Sequence, residues 1–146
     1  MSTRDAGFLQ QVRRNAVALI SLTVALSSLG YNTWRNEESE ANRNQRFAAF
    51  EILLKLGELQ QIVFHSHYDQ DTTDKGNPRT GWAYVLTVSD LSAVLKPPMP
   101  DITTQLQGTW SDHWSNLGTE QASADAILAK IDSVRVETLN QLRMLD

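Results

Sequence analysis

The chain has 146 residues, 41% of them hydrophobic and 21% charged, with a formal net charge of -4; that length suits one domain with a modest core. Cysteine is absent, which excludes disulfides, thiolate catalysis and cysteine-based zinc or iron-sulfur centres. Residues 1–14 set Arg4, Arg13 and Arg14 against Asp5, whereas residues 35–146 hold ten Lys/Arg against sixteen Asp/Glu. An acidic domain of this kind repels phosphate backbones and shows no basic stripe with interleaved aromatics, so no nucleic acid partner is expected.

Between Arg14 and Arg35 lie twenty residues without a charge, NAVALISLTVALSSLGYNTW. As a helix they span about 30 Å, the thickness of a bilayer's hydrocarbon core. Leu19, Ile20, Leu22, Val24, Leu26 and Leu29 supply apolar mass. Arg13 and Arg14 at one end, and Tyr31 and Trp34 at the other, are the expected interfacial anchors. Ser21, Thr23, Ser27, Ser28 and Gly30 moderate the hydrophobicity, and in lipid the hydroxyls are expected to bond carbonyls of the preceding turn or a neighbouring helix. Ser21 and Ala25, with Ser28 on nearly the same face, form a small-residue spacing that lets a second membrane helix approach closely. Two other readings stay open: a cleaved signal peptide, with small residues at Ser28 and Gly30, and a buried core helix.

The adjacent arginines at the N-terminal edge, beside a short tail, predict a cytoplasmic N-terminus and an acidic domain on the far side. In a bacterium this is an inner-membrane protein crossing once, with a periplasmic domain. The organisation expected is a cytoplasmic tail over 1–14, a transmembrane helix over 15–34, a polar helical stalk over 35–46 and a helical bundle domain over 47–146. The stalk, RNEESEANRNQR, has one apolar residue and neither Gly nor Pro to stop the preceding helix, so it reads as a solvated continuation.

From Phe47 the pattern predicts a principal helix ending near Tyr68. Its expected stripe is Phe50, Leu53, Leu54, Gly57, Gln61 and Phe64, widened by Leu56, Leu59, Ile62 and Val63. DQDTTDKGNP then breaks the helix, and Asn77 before Pro78 makes an N-cap and N1 pair for a helix running to about Leu95. The prolines of Lys96-Pro97-Pro98-Met99-Pro100 forbid continuation. Asp101 is expected to cap a third helix striped by Ile102, Leu106, Trp110, His113, Trp114 and Leu117. Gly118 is the expected stop, Thr119 the expected cap of a last helix with Ile127, Ile131, Val134, Thr138, Leu142 and Leu145 on its stripe. No segment reads as a strand. The predicted fold is all-α: an N-terminal transmembrane helix continuing into a small antiparallel helical bundle.

Three constellations carry chemical possibilities. Trp82, Trp110 and Trp114, with His113, could line a ligand pocket between helices, although aromatics at such spacings commonly fill bundle cores. His65, His67 and Asp69 could hold a metal, but histidines two apart point about 200° apart on a helix, so the spacing is poor. No cofactor is implied. G-x-S-x-G, a Gly-rich phosphate loop and H-E-x-x-H are all absent from the sequence, and no catalysis is expected.

In layout the chain is similar to the sensory bundles of bacterial receptors, which usually add a second membrane crossing and a signalling domain; transmission through a partner is therefore implied. The leading expectation is a single-pass, membrane-anchored accessory or scaffolding protein whose helical domain binds a membrane or periplasmic protein or self-associates. Ligand sensing through the aromatic pocket and a metal-binding periplasmic domain are the alternatives.

Overall fold

A computed structural model describes the backbone of residues 3–145 and the side chains of residues 10, 11 and 13–145. Met1, Ser2 and the side chains of Arg4 and Asp5, which belong to the expected N-terminal tail, lie outside the described residues. Within the described residues the fold is all-helical: α1 Thr3–His67, α2 Pro78–Ser92, α3 Met99–His113, a 3-10 turn Trp114–Asn116 and α4 Gln121–Met144, with no strand. The chain divides into two compact units, Met1–Ala41 and Asn42–Asp146.

The 65-residue length of α1 follows from what the sequence omits. The first proline is Pro78, and no glycine occurs between Gly30 and Gly57, so nothing interrupts the backbone ladder. In the first unit, residues 17–41 are all exposed. The apolar stretch there is long and apolar enough to cross a membrane by length and composition, and none of it is buried against protein. Thr23 donates its hydroxyl to Leu19 O at 2.8 Å, satisfying the group inside the helix. Tyr31 and Trp34 stack obliquely with ring centroids 6.1 Å apart.

The second unit holds the hydrophobic core. From α1 it takes Ala48, Ala49, Ile52, Leu56, Leu59, Ile62 and Val63; from α2, Val85 and Val88; from α3, Met99, Leu106 and Trp110; from α4, Ala124, Ile127, Ile131 and Val134. Each wholly buried Ile, Leu or Val contributes about 1.5–3 kcal/mol relative to exposure. The expected stripe on α1 is thereby split: Leu56, Leu59, Ile62 and Val63 enter the core, whereas Phe50, Leu54 and Phe64 stay exposed. A helix that is apolar around most of its girth can turn only one side to its neighbours. The side chosen carries the small residues Ala48 and Ala49, which permit close approach.

Hydrogen bonds tie the elements together at defined heights. Arg46 donates to Leu145 O, Arg135 to Gln60 Oε1 at 2.6 Å, and His67 Nδ1 meets Leu117 O at 2.9 Å. Buried Ser92 and Thr103 hydroxyls meet at 2.7 Å between α2 and α3, and Lys130 donates to Gln105 between α4 and α3. Gln141 donates from Nε2 to Lys96 O at 2.6 Å and accepts from Lys96 N at 3.2 Å, fastening the α2–α3 connection to α4.

Helix ends follow local chemistry, with shifts from expectation. α1 stops where Gln70 adopts a left-handed φ of 57° and its amide donates to the carbonyls of His67 and Gly118. Asn77 caps α2, accepting from Arg79 N at 3.0 Å with Pro78 at N1. α2 ends at Ser92 rather than Leu95, its last residues tightening into three-residue turns. α3 begins at Met99, so Asp101 lies in its first turn instead of capping it, because proline is tolerated in an opening turn. The stop before α4 is the 3-10 turn, ahead of Gly118, and the capping position is Glu120, one beyond Thr119.

Candidate functional site

The exposed apolar residues of α1 in the second unit fall into one pattern. Phe47, Phe50 and Leu54 are 65%, 58% and 61% exposed, and Phe64 and Tyr68 also reach solvent. Taking Phe47 and Phe50 as positions a and d of a heptad, Leu54 is the next a, Gly57 the next d, Gln61 an a, Phe64 a d and Tyr68 an a. The buried residues occupy positions b, c and f of the same heptad. α1 therefore has two working faces, one spent on the core and one turned away from it. Phe64 and Tyr68 pack at 5.9 Å between ring centroids, and His67 meets Tyr68 edge-on at 4.9 Å. Reading the apolar positions as one broad face concealed this seam; their strict alternation of threes and fours was the signal for it.

Charges border the seam. Glu51 and Glu58 occupy its e side and Arg46 its g side. Lys55 donates to Glu58 at 2.8 Å, and its ammonium lies 5.3 Å from the Tyr84 ring centroid. The hydrogen bond to Glu58 is the leading cause that raises the Lys55 pKa above its ordinary value.

In the first unit, Leu19, Leu22, Leu26 and Leu29 are exposed and follow the same three-four spacing. Ser21, Ala25 and Ser28 are exposed as well, on a flank about 110° around the helix from these leucines at 100° per residue. Arg13, Arg14, Tyr31 and Trp34, the expected interfacial anchors, are all exposed.

The tryptophans occupy different environments. Trp110 is wholly buried, and a Cβ built on Gly81 would overlap its Cζ2 and Cη2, so its ring is packed directly against the α2 backbone. Trp110 Nε1 and Ser66 Oγ are buried without a hydrogen-bond partner. Trp82 and Trp114 are half-buried and meet edge to face at 6.4 Å. His113 Nδ1 lies 3.1 Å from Ser123 Oγ, which ties the end of α3 to the start of α4.

The helix-end histidines point to different partners. His65 pairs with Asp69 at 2.6 Å, whereas His67 is held by Leu117 O and by Gln121 Oε1 at 3.0 Å. Among the described residues no three His, Asp or Glu side chains gather as a metal site would require. Asp71, outside the expected set, organises the loop. It accepts from Thr73 N, Asp74 N and Lys75 N at 3.0–3.2 Å, and the bond from Asp74, first among these, lowers its pKa below the usual carboxylate value. A cavity of about 420 Å³ opens beside this loop, with Glu58, His65, Asp74, Lys75 and Tyr84 in its wall.

No protein-family model, curated protein or solved structure matches the chain.

Proposed function

We propose that the protein is a single-pass, membrane-anchored accessory or scaffolding protein, non-catalytic, whose helical domain offers α1 to another protein chain. One observation carries this reading: the helix with the unburied apolar stretch at residues 17–34 also exposes Phe47, Phe50 and Leu54 away from the core. Exposed large apolar side chains in a row mark an interaction surface. The Arg13-Arg14 pair supports a cytoplasmic N-terminus with the acidic domain beyond the membrane, in the periplasm if the source is bacterial. An antiparallel packing of α1 and α4 is supported by the pairings of Arg46 with Leu145, Gln60 with Arg135 and His67 with Gln121, in which one number rises as the other falls.

The test is fractionation of cells expressing the full chain, followed by the intact mass of the protein extracted in mild detergent and its assembly state. Full-length protein that resists alkaline extraction and runs as a complex is the expected result. A cleaved N-terminus, or an isolated monomer with no partner enriched above an untagged control, overturns the reading.

The cavity beside Tyr84 favours a second reading, ligand sensing through a partner. Thermal-shift screening of small charged metabolites against the native chain and Tyr84→Ala checks it, and a flat response in both sinks it.

A further inference from the structure

We propose that the outer face of α1 is covered by a second copy of this chain, lying parallel to the first and meeting it through Phe47, Phe50, Leu54, Phe64 and Tyr68. This rests on the reading of α1 as an interaction helix and commits it to one occupant.

Three observations select a second copy. The first is spacing. Apolar residues at a and d with the core confined to b, c and f are what a two-helix seam requires, because only an a/d face presents a continuous ridge to an identical helix. The second is charge. In a parallel pair, position g of one helix lies beside position e of the other, five residues further on, so position 46, whose arginine also bonds Leu145 O of its own chain, stands beside Glu51 of the second copy. In an antiparallel pair e faces e, which brings the Glu51 and Glu58 flanks of both copies together and repels. The third is extent. Four aromatics and a leucine, more than half exposed in most cases, would bury roughly 1,000 Å² over both copies, at the lower limit for a specific interface. Tethering in one membrane supplies the remaining advantage by holding the chains at high effective concentration and in the same direction.

The seam also carries its own register marks. Gly57 has open space where a side chain would stand, and Gln61 places a polar group at an a position, a device that fixes alignment in parallel pairs at some expense of stability.

Because the chain lacks cysteine, single cysteines report contacts without background. Phe47→Cys, Phe50→Cys and Leu54→Cys are made in the full-length protein, with Ala83→Cys and Ser133→Cys as exposed positions away from the seam. Membranes are treated with a mild oxidant and the products resolved without reductant. The expected result is disulfide-linked dimer at all three seam positions and at neither control, since an antiparallel pair brings identical residues together only at its two-fold axis, whereas a parallel pair does so at every position. Leu54→Glu should reduce dimer trapped through Phe50→Cys by about tenfold, because it places paired charges in an apolar seam, while leaving the thermal transition of the domain unchanged. Equal linkage at seam and control positions, no linkage at the seam, or linkage of the seam to a protein of different mass each overturns the proposal. Membrane retention measured in the same samples separates the two claims: a retained protein that does not cross-link refutes the second copy and leaves the anchor standing.

Discussion

Gly81 and Trp110 are in direct contact, backbone against indole, with no room between them for a methyl group. The contact sets how closely α2 and α3 approach. Gly81→Ala must displace a rigid, wholly buried ring rather than the tip of a flexible side chain. Overpacking of this kind costs about 1–3 kcal/mol, and thermal unfolding followed by tryptophan fluorescence should show a Tm lower by several degrees. An unchanged Tm would mean that the helices separate freely.

The two faces of α1 should respond oppositely to truncation. Leu59→Ala removes a wholly buried side chain and is expected to destabilise the domain by about 2–5 kcal/mol. Leu54→Ala, at an exposed site, should change its unfolding free energy by no more than about 0.5 kcal/mol. Urea denaturation of both variants, at concentrations where the protein is monomeric, gives the comparison.

Asp71 predicts an acid-sensitive loop. Its folded pKa is lowered, so its contribution to stability is fully present above the unfolded aspartate value, about 3.9. That contribution is lost as pH falls through the lower folded value. Asp71→Ala should therefore lower Tm at pH 7 and narrow the difference from the native protein toward pH 3. Calorimetry at both pH values checks the sign; a difference that widens in acid would refute it.

Membrane attachment should depend on the apolar stretch alone. Arginine at the centre of a spanning helix costs about 2.5–3.5 kcal/mol per residue, so Leu22→Arg combined with Leu26→Arg should move the protein from the alkali-resistant pellet to the supernatant. Circular dichroism of the released protein should retain the helical signal of the second unit, whose core contains no residue before Ala48.

How much of this was visible beforehand depends on what each signal measures. Helix identities were legible because proline, Asn77 and the polar DQDTTDKGNP run act locally, through backbone geometry that the sequence states directly. The core of α4 was legible for a related reason: Ile127, Ile131, Val134 and Thr138 form one narrow stripe at spacings of three and four, and all four are buried. The inward side of α1 was not. Phe50 and Leu54 are larger and more hydrophobic than Ala48 and Ala49, yet the alanines are buried, because closeness of approach between helices is a property of the neighbours. The loop-organising role of Asp71 was illegible for the opposite reason: it is a fold of three successive backbone amides around one carboxylate, which no residue spacing announces.

The carboxamide of Gln141 grips residue 96 solely by its peptide atoms, giving and receiving as a neighbouring peptide would. Such a clasp is blind to what residue 96 is and exacting about what holds it. Lysine 96 should accept almost any replacement except proline, which lacks the N–H, whereas position 141 should reject even glutamate, which at neutral pH offers two acceptors and no donor. Tolerance to mutation along this connection is thus governed from the far end of α4, forty-five residues downstream.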